Sequence, residues 1–509
     1  MLRPTSKPPS WIANALLASS ISLLLFFSSI KVDAEPFAAD GLENMTAVYN
    51  LLKHSTFSTE PYYVYWLNPH HSEAAVRPNM YREPVPIAVA AVAAAVFGDE
   101  ELSTLPLSRF NSKGSRFVRI VKIVNCLWLA LSLVLVYYSL LFFTGNHYLS
   151  LAASLFPGVY VVSSGSMDES VNWFMSEVQG GALILASSLC LARAVQDQRK
   201  ASFALAGLSL GLASLTKSIL LFAYPLILLS LGGYAVAARL GRASIPGLAV
   251  FSAVFLAVVG PWMARNYAHF DRWAIASRGG VALYARSVVN DIANGKLHAA
   301  LYWYSPDMLR PAVGKAAGIS DDDFGINGRY EMINRDHRVG VDNEKIWDGD
   351  PSSTRSYFGD IFAEYRRRLL VVNQRGGEDD PVTVVDAQLY DRARNTILGD
   401  LVDHVKATPL FAYRGMWNDV LPPVMMLLVW ILFGSYVCLA AAKRALTDLA
   451  FVIIPAAVYL MLSLTTLFID RYSIILTWNA YAASVVMGYR LFESLLTARR
   501  ESQPLADTG

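Results

Sequence analysis

Glu83-Pro84-Val85-Pro86-Ile87-Ala88-Val89-Ala90-Ala91-Val92-Ala93-Ala94-Ala95-Val96-Phe97 is the stretch on which the topology of the chain turns. Its apolar part, Val85 to Phe97, has 13 residues. A helix crossing a hydrocarbon core needs about 20, so the segment is too short to span comfortably, and Pro84 and Pro86 mark its start. If it does not span and the N-terminus is cytoplasmic, four basic clusters face the cytoplasm: Arg193, Arg199 and Lys200; Arg239 and Arg242; Lys443 and Arg444; and Arg499 and Arg500 in the tail. If it does span, all four move outside. Excess Lys and Arg in short loops marks the cytoplasmic face, so Val85 to Phe97 reads as an interfacial helix. The basic stretch Arg109 to Lys122 then lies outside, at the end of a loop too long for that rule to weigh heavily.

The rest of the chain supports a membrane setting. Of its 509 residues, 54% are hydrophobic and 17% charged, which argues against a soluble enzyme with a charged surface. The apolar residues come in runs that predict spans near 11–30, 117–143, 148–166, 170–192, 202–216, 218–238, 245–262, 421–441, 448–469 and 473–490. The expected fold is thus an all-α polytopic membrane protein of about ten transmembrane helices, with interfacial helices in the first outer loop and a small external α-rich domain. Its divisions are the first transmembrane helix in 1–30, an outer loop in 31–116, helices 2–7 in 117–262, an outer soluble segment in 263–420, helices 8–10 in 421–490 and a cytoplasmic tail in 491–509. Arg3 and Lys7 before an apolar run, with Val32-Asp33-Ala34 behind it, resemble a signal peptide. About twenty apolar residues suit a retained span better than a short signal core.

Several function classes are disfavoured. A net charge of +2 without a dense basic face argues against nucleic acid as a partner. Cys126, Cys190 and Cys438 sit in apolar runs without CxxC or Cys/His spacing and read as small hydrophobes. No GxGxxG or Walker-type segment precedes a suitable helix, and no internal repeat of the inverted-transporter kind is visible. Ser320-Asp321-Asp322-Asp323 and Arg375-Gly376-Gly377-Glu378-Asp379-Asp380 read as turns or mobile tips of the external segment.

The predicted topology gathers charge at one face. Asp40 and Glu43 follow the first span, Asp168, Glu169 and Glu177 surround the start of the fourth, and Lys217, Arg265, Asp470 and Arg471 occupy outer span ends. Ionisable groups at membrane depth are costly, so their clustering is a functional hint, whereas scattered Lys and Arg would be snorkelling anchors. Ala39 to Lys53 has the apolar spacing of an amphipathic surface helix, with Asp40 at its start. There Asp40 is either an N-cap or a general base beside a lipid-borne substrate. Lys217 and Arg265 are either anchors or holders of a phosphate, Arg as a fork and Lys as a point charge. Arg471 beside Asp470 reads as a local ion pair or as part of that site.

Phe37-Ala38-Ala39-Asp40-Gly41, Arg82-Glu83-Pro84-Val85-Pro86, Ser176-Glu177, Leu215-Thr216-Lys217, Pro261-Trp262-Met263-Ala264-Arg265-Asn266-Tyr267 and Asp470-Arg471-Tyr472 occur in this order. In that order the chain resembles the C-type multi-spanning glycosyltransferases that use polyprenyl-phosphate sugars, the superfamily of protein O-mannosyltransferases and aminoarabinose transferases. The resemblance implies inverting transfer of a sugar from a polyprenyl-phosphate donor to a hydroxyl of a lipid, glycan or protein acceptor, at the outer face of the membrane; the short basic loops and the lack of a retention signal point to a bacterial inner membrane. It implies Asp40 as the base, Glu177 as a second acid that assists it or orients the acceptor, and Lys217 and Arg265 near the lipid phosphate. Glu43, Arg82 and Arg471 are further substrate-binding candidates. Two departures stand out: Asn44 occupies a position where relatives often carry an aromatic residue, and Glu83-Pro84-Val85-Pro86 lacks the usual glycine. Asp40 and Glu43 at i, i+3 mimic an acidic pair seen in some relatives, which is compatible with a divalent metal, but no tight ligand cluster indicates one and no cofactor is expected. The alternatives are a lipid-linked-sugar transporter or flippase, which should place polar residues nearer the bilayer midplane, and a scaffold whose charged ends are only anchors.

Overall fold

The computed structural model describes residues 10–60, 76–98, 105–164, 171–174, 176–237, 244–333, 355–374 and 380–501. Among them the chain is helix and turn, with no strand. It opens with α1 (Ser10–Lys31), the amphipathic α2 (Ala39–His54), the Ala/Val-rich α3 (Pro84–Phe97) and a single turn, α4 (Leu107–Phe110). Apolar helices follow in succession: α5 (Arg116–Thr144), α6 (His147–Ser164), α7 (Glu177–Asp197), α8 (Lys200–Thr216), α9 (Leu220–Ala237) and α10 (Ser244–Phe270). A polar segment then folds into α11 (Gly279–Val288), α12 (Leu297–Tyr304), α13 (Arg310–Ala317), α14 (Tyr357–Gln374), α15 (Pro381–Gly399) and α16 (Leu401–Arg414). The chain closes with α17 (Pro423–Ala442), α18 (Leu446–Thr465) and α19 (Ile474–Glu501).

Among the described residues, α1, α5, α7, α10, α17 and α18 are long and apolar enough to cross a membrane, and α3, α8 and part of α9 are shorter apolar helices. Helices suit that setting because every backbone N–H and C=O away from the ends is bonded within the segment. The chain is therefore an all-α polytopic membrane protein. Helix α7 is its hub, buried over most of its length and packed against α5, α8, α18 and α19. Where α8 crosses α10, a Cβ on Gly207 would stand 2.3 Å from the carbonyl oxygen of Phe251, so only glycine permits that approach.

The helix ends depart from the predicted spans in three places. The run predicted from 170 becomes helix only at Glu177, because Asn125 of α5 donates to the carbonyls of Val171 at 2.9 Å and Trp173 at 3.1 Å and holds that approach in irregular form. Helix α10 continues past 262 to Phe270, which puts Arg265 on its last turns, and α19 continues past 490 to Glu501. Asp168, Glu169 and residues 375–379 lie outside the described residues, as does the side chain of Asp470.

Helix α3 turns Pro84, Pro86, Ile87, Ala90, Ala91 and Ala94 inward and leaves Val92, Val96 and Phe97 exposed. Its inner face joins Met45 and Val48 of α2 and Phe117 and Val121 of α5 in one apolar cluster. In the polar segment, α11 packs on α15, and Asp380 caps α15 by accepting from the Thr383 amide at 3.2 Å. Ser320 and Asp323 form a reciprocal capping box at the predicted acidic turn. The fully buried Arg286 of α11 fastens this segment to α18: Nη2 donates to the His404 carbonyl at 2.9 Å and Nε to the Ser463 carbonyl at 3.4 Å.

Candidate active site

Helix α2 begins after an extended Ala38, and no side chain caps it, so Asp40 in its first turn is not the N-cap. Its carboxylate is turned to other partners. Arg82 Nη2 donates to Oδ1 at 2.7 Å, Arg278 Nη1 to the same oxygen at 3.3 Å, and Arg471 Nη2 to Oδ2 at 2.5 Å. Glu43, one turn along the same face, shares Arg82 and lies 3.9 Å from Arg278. Beside them the Lys217 ammonium donates to Glu177 Oε1 at 2.9 Å, and Arg471 Nε stands 3.9 Å from that oxygen. Arg471 thus links the two acid centres.

Each of these side chains is positioned by an identifiable local feature. Asn44 of α2 donates to the Phe174 carbonyl at 2.8 Å, just before Glu177, and so holds the Asp40 helix against the start of α7. The irregular segment Asn79-Met80-Tyr81-Arg82, bent at its last two residues, leads to Pro84, the first residue of α3, and the Ser277 amide donates to the Met80 carbonyl at 2.8 Å. That backbone bond ties the segment carrying Arg82 to the one carrying Arg278, and both guanidinium groups reach the same carboxylate. Glu83 Oε1 accepts from the amide and hydroxyl of Ser218 at 3.2 and 3.1 Å, which fixes the turn carrying Lys217. Arg278 precedes α11, where a Cβ on Gly280 would stand 1.8 Å from the Asp386 carbonyl oxygen, so glycine allows α11 to seat on α15. The Arg278 guanidinium lies 4.9 Å from the Tyr81 ring centre, and Lys217 lies 4.6 Å from that of Tyr472.

Burial alone would raise the proton affinity of Asp40, but Arg82, Arg278 and Arg471 outweigh it and hold the carboxyl well below its ordinary range. Tyr81, desolvated beside the same groups, is pushed up to about 12. Of the residues singled out in the sequence, the structure brings together Asp40, Glu43, Arg82, Glu177, Lys217 and Arg471. Arg265 stands apart from this ion-pair network. Its Nη1 donates to the Asn79 carbonyl at 3.2 Å and to Asn266 Oδ1 at 2.8 Å, and its guanidinium lies 4.9 Å from the Trp262 ring centre. Among the described residues it pairs with no carboxylate, and it braces the segment leading to Arg82. Sequence reasoning missed Arg278 and Tyr81. An arginine ahead of Gly279-Gly280 carries no periodic signal, and its place depends on a backbone bond to a segment nearly two hundred residues away.

No protein-family model matches the chain, and no curated protein sequence matches it. Among solved structures it is similar to the archaeal oligosaccharyltransferase AglB from Archaeoglobus fulgidus, in complex with an inhibitory peptide and a dolichol-phosphate. The identity is 11% over 98% of this chain and 53% of that one, with a TM-score of 0.48. It is also similar to ArnT from Cupriavidus metallidurans bound to undecaprenyl phosphate, at 12% identity over 98% of this chain and 82% of that one, with a TM-score of 0.34. The chain spans about half the length of the oligosaccharyltransferase. Both likenesses are remote.

Proposed function

We propose that the chain is an inverting glycosyltransferase that moves a sugar from a polyprenyl-phosphate donor to an acceptor hydroxyl at the outer face of the membrane. The observation that carries this reading is the convergence of Asp40, Glu43 and Glu177 with Arg82, Arg278, Arg471 and Lys217. These seven side chains come from segments far apart in sequence and meet at the ends of their helices. Anchoring alone does not call for three guanidinium groups on one carboxylate.

The chemistry follows from these groups. The acceptor oxygen attacks the anomeric carbon on the face opposite the phosphate, the bond from that carbon to the phosphate oxygen breaks, and its electron pair leaves with the polyprenyl phosphate. The acceptor proton passes to Asp40, and the configuration at the sugar inverts. Negative charge grows on the leaving phosphate, and preplaced cations stabilise that charge more in the transition state than in the ground state. Among the described residues no donor meets the buried Glu177 Oε2, an oxygen suited to orient the acceptor hydroxyl.

Membranes containing the chain, incubated with polyprenyl phosphate bearing a labelled sugar, should transfer the label from lipid to acceptor. Membranes with Asp40→Asn at equal protein level should not. Movement of intact labelled donor across the bilayer without its consumption would favour transport instead.

A further inference from the structure

Asp40 as it stands is a poor base. A carboxylate has about four lone-pair positions, and three guanidinium donors already occupy it, two on Oδ1 and one on Oδ2. The three arms differ. Arg82 is held in place by Glu43 as well, and its side chain is 8% exposed. Arg278 and Arg471 are 29% and 22% exposed, and Arg278 makes the longest contact, 3.3 Å. Each of these two also has a second resting place, Arg278 against the Tyr81 ring and Arg471 toward Glu177. They are the more exposed arms, and the ones a second anion can reach. A phosphate offers a guanidinium fork more charge and more acceptor oxygens than one carboxylate does.

Building on the donor class proposed above, we propose that the donor phosphate takes over Arg278 and Arg471 from Asp40, so that the carboxylate is released to accept a proton only when the donor is in place. The ligand-free chain then holds its base locked. Arg82 keeps Asp40 oriented through the exchange, and the cations that stabilise the leaving phosphate are the same ones that had silenced the base. An acceptor or water arriving first meets an occupied carboxylate.

The exchange has a thermodynamic consequence, because coupling between two ligands of one site is reciprocal. If phosphate draws the arginines from Asp40, then Asp40 draws them from phosphate, and removing its charge must tighten phosphate binding. The full chain in nanodiscs, wild type and Asp40→Asn, is titrated with sugar-free polyprenyl phosphate, with folding of the variant checked by thermal unfolding. The expected result is binding at least about tenfold tighter in the variant that has lost turnover. In the wild type, labelling of Asp40 by N,N′-dicyclohexylcarbodiimide, which reacts with protonated carboxyls, should rise on adding the same lipid, read by peptide mass spectrometry. Equal or weaker binding in Asp40→Asn, or Asp40 labelling unchanged at saturating lipid, overturns the exchange while leaving the donor class standing. If a folded wild type binds no polyprenyl phosphate, the donor class itself falls and the exchange with it.

Discussion

The two ends of α18 each place a carboxylate beside arginine, and they do it differently. At its start, Asp448 is met by Arg490 as a two-pronged fork, Nη1 to Oδ2 at 2.6 Å and Nη2 to Oδ1 at 2.8 Å, with the Tyr436 hydroxyl donating to Oδ1 at 2.9 Å. The partners come from α17, α18 and α19, helices that follow one another in the chain. Just past the other end, about 26 Å along the helix axis, Arg471 joins Arg82 and Arg278 on Asp40. Those partners lie 42, 238 and 431 residues from Asp40 in sequence. One carboxylate has a single matched cation and ties neighbouring helices together. The other has three cations for its one negative charge, drawn from across the chain.

The widest separation between the two ends should appear in turnover. Asp40→Asn should lower the transfer rate by about 10²–10⁴-fold, the usual contribution of a positioned base. Asp448→Asn should leave the rate per folded molecule unchanged in the same assay. A comparable rate loss in both variants would erase the distinction. Arg471→Gln comes next, because this one side chain touches both Asp40 and Glu177. Removing one preplaced donor from a developing anion costs about 10²–10³-fold, and Arg471→Lys should recover only part of it because a point charge does not reproduce the fork.

The same contrast explains what could be read before the fold was seen. The membrane helices were legible because a bilayer span must be apolar over its whole length, a property of contiguous residues. Asp40, Glu43, Glu177, Lys217 and Arg471 were legible as candidates because they stand at the ends of such runs. Arg278 was not, since its position depends on the Ser277–Met80 backbone bond and on Gly280 seating against Asp386. Asn44 reads in sequence only as a missing aromatic residue, yet its amide is what secures α2 to the start of α7. Asp40 is also consistent in sequence with a helix cap, and that role is excluded only by where α2 begins, with Ala38 ahead of it at the cap position. Arg265, placed near the lipid phosphate by its order in the chain, turns Nη1 to Asn79 and Asn266, contacts that its sequence neighbourhood does not announce.

Stability should separate the ends on a smaller scale. Gly280→Ala forces a Cβ into the Asp386 carbonyl oxygen, 1.8 Å away, and overpacking of this kind costs about 1–3 kcal/mol. Thermal unfolding reads that cost, and the transfer rate should fall with it because Arg278 precedes the displaced helix. Asp448→Asn should cost less, about 1 kcal/mol, since the Arg490 side chain it leaves behind is 40% exposed and water can replace the lost partner.

The smallest effect is one of pH, and it also distinguishes the over-supplied carboxylate. Among the described residues, the groups facing Asp40 are Arg82, Arg278, Arg471, Glu43, Glu177, Tyr81 and Tyr472. The three guanidinium groups overcome desolvation and hold its proton affinity below the ordinary value of 3.8. A depressed carboxyl stabilises the fold in its ionised form, so its contribution is fully present above the unfolded value. It is lost only as pH falls from there through the lower folded value. The thermal midpoints of wild type and Asp40→Asn should therefore differ by a constant amount from pH 7 down to about 4 and converge below that. Convergence already near pH 6 would mean that Asp40 takes up its proton easily in the ligand-free chain, and an unlocked base of that kind would need no donor phosphate to release it.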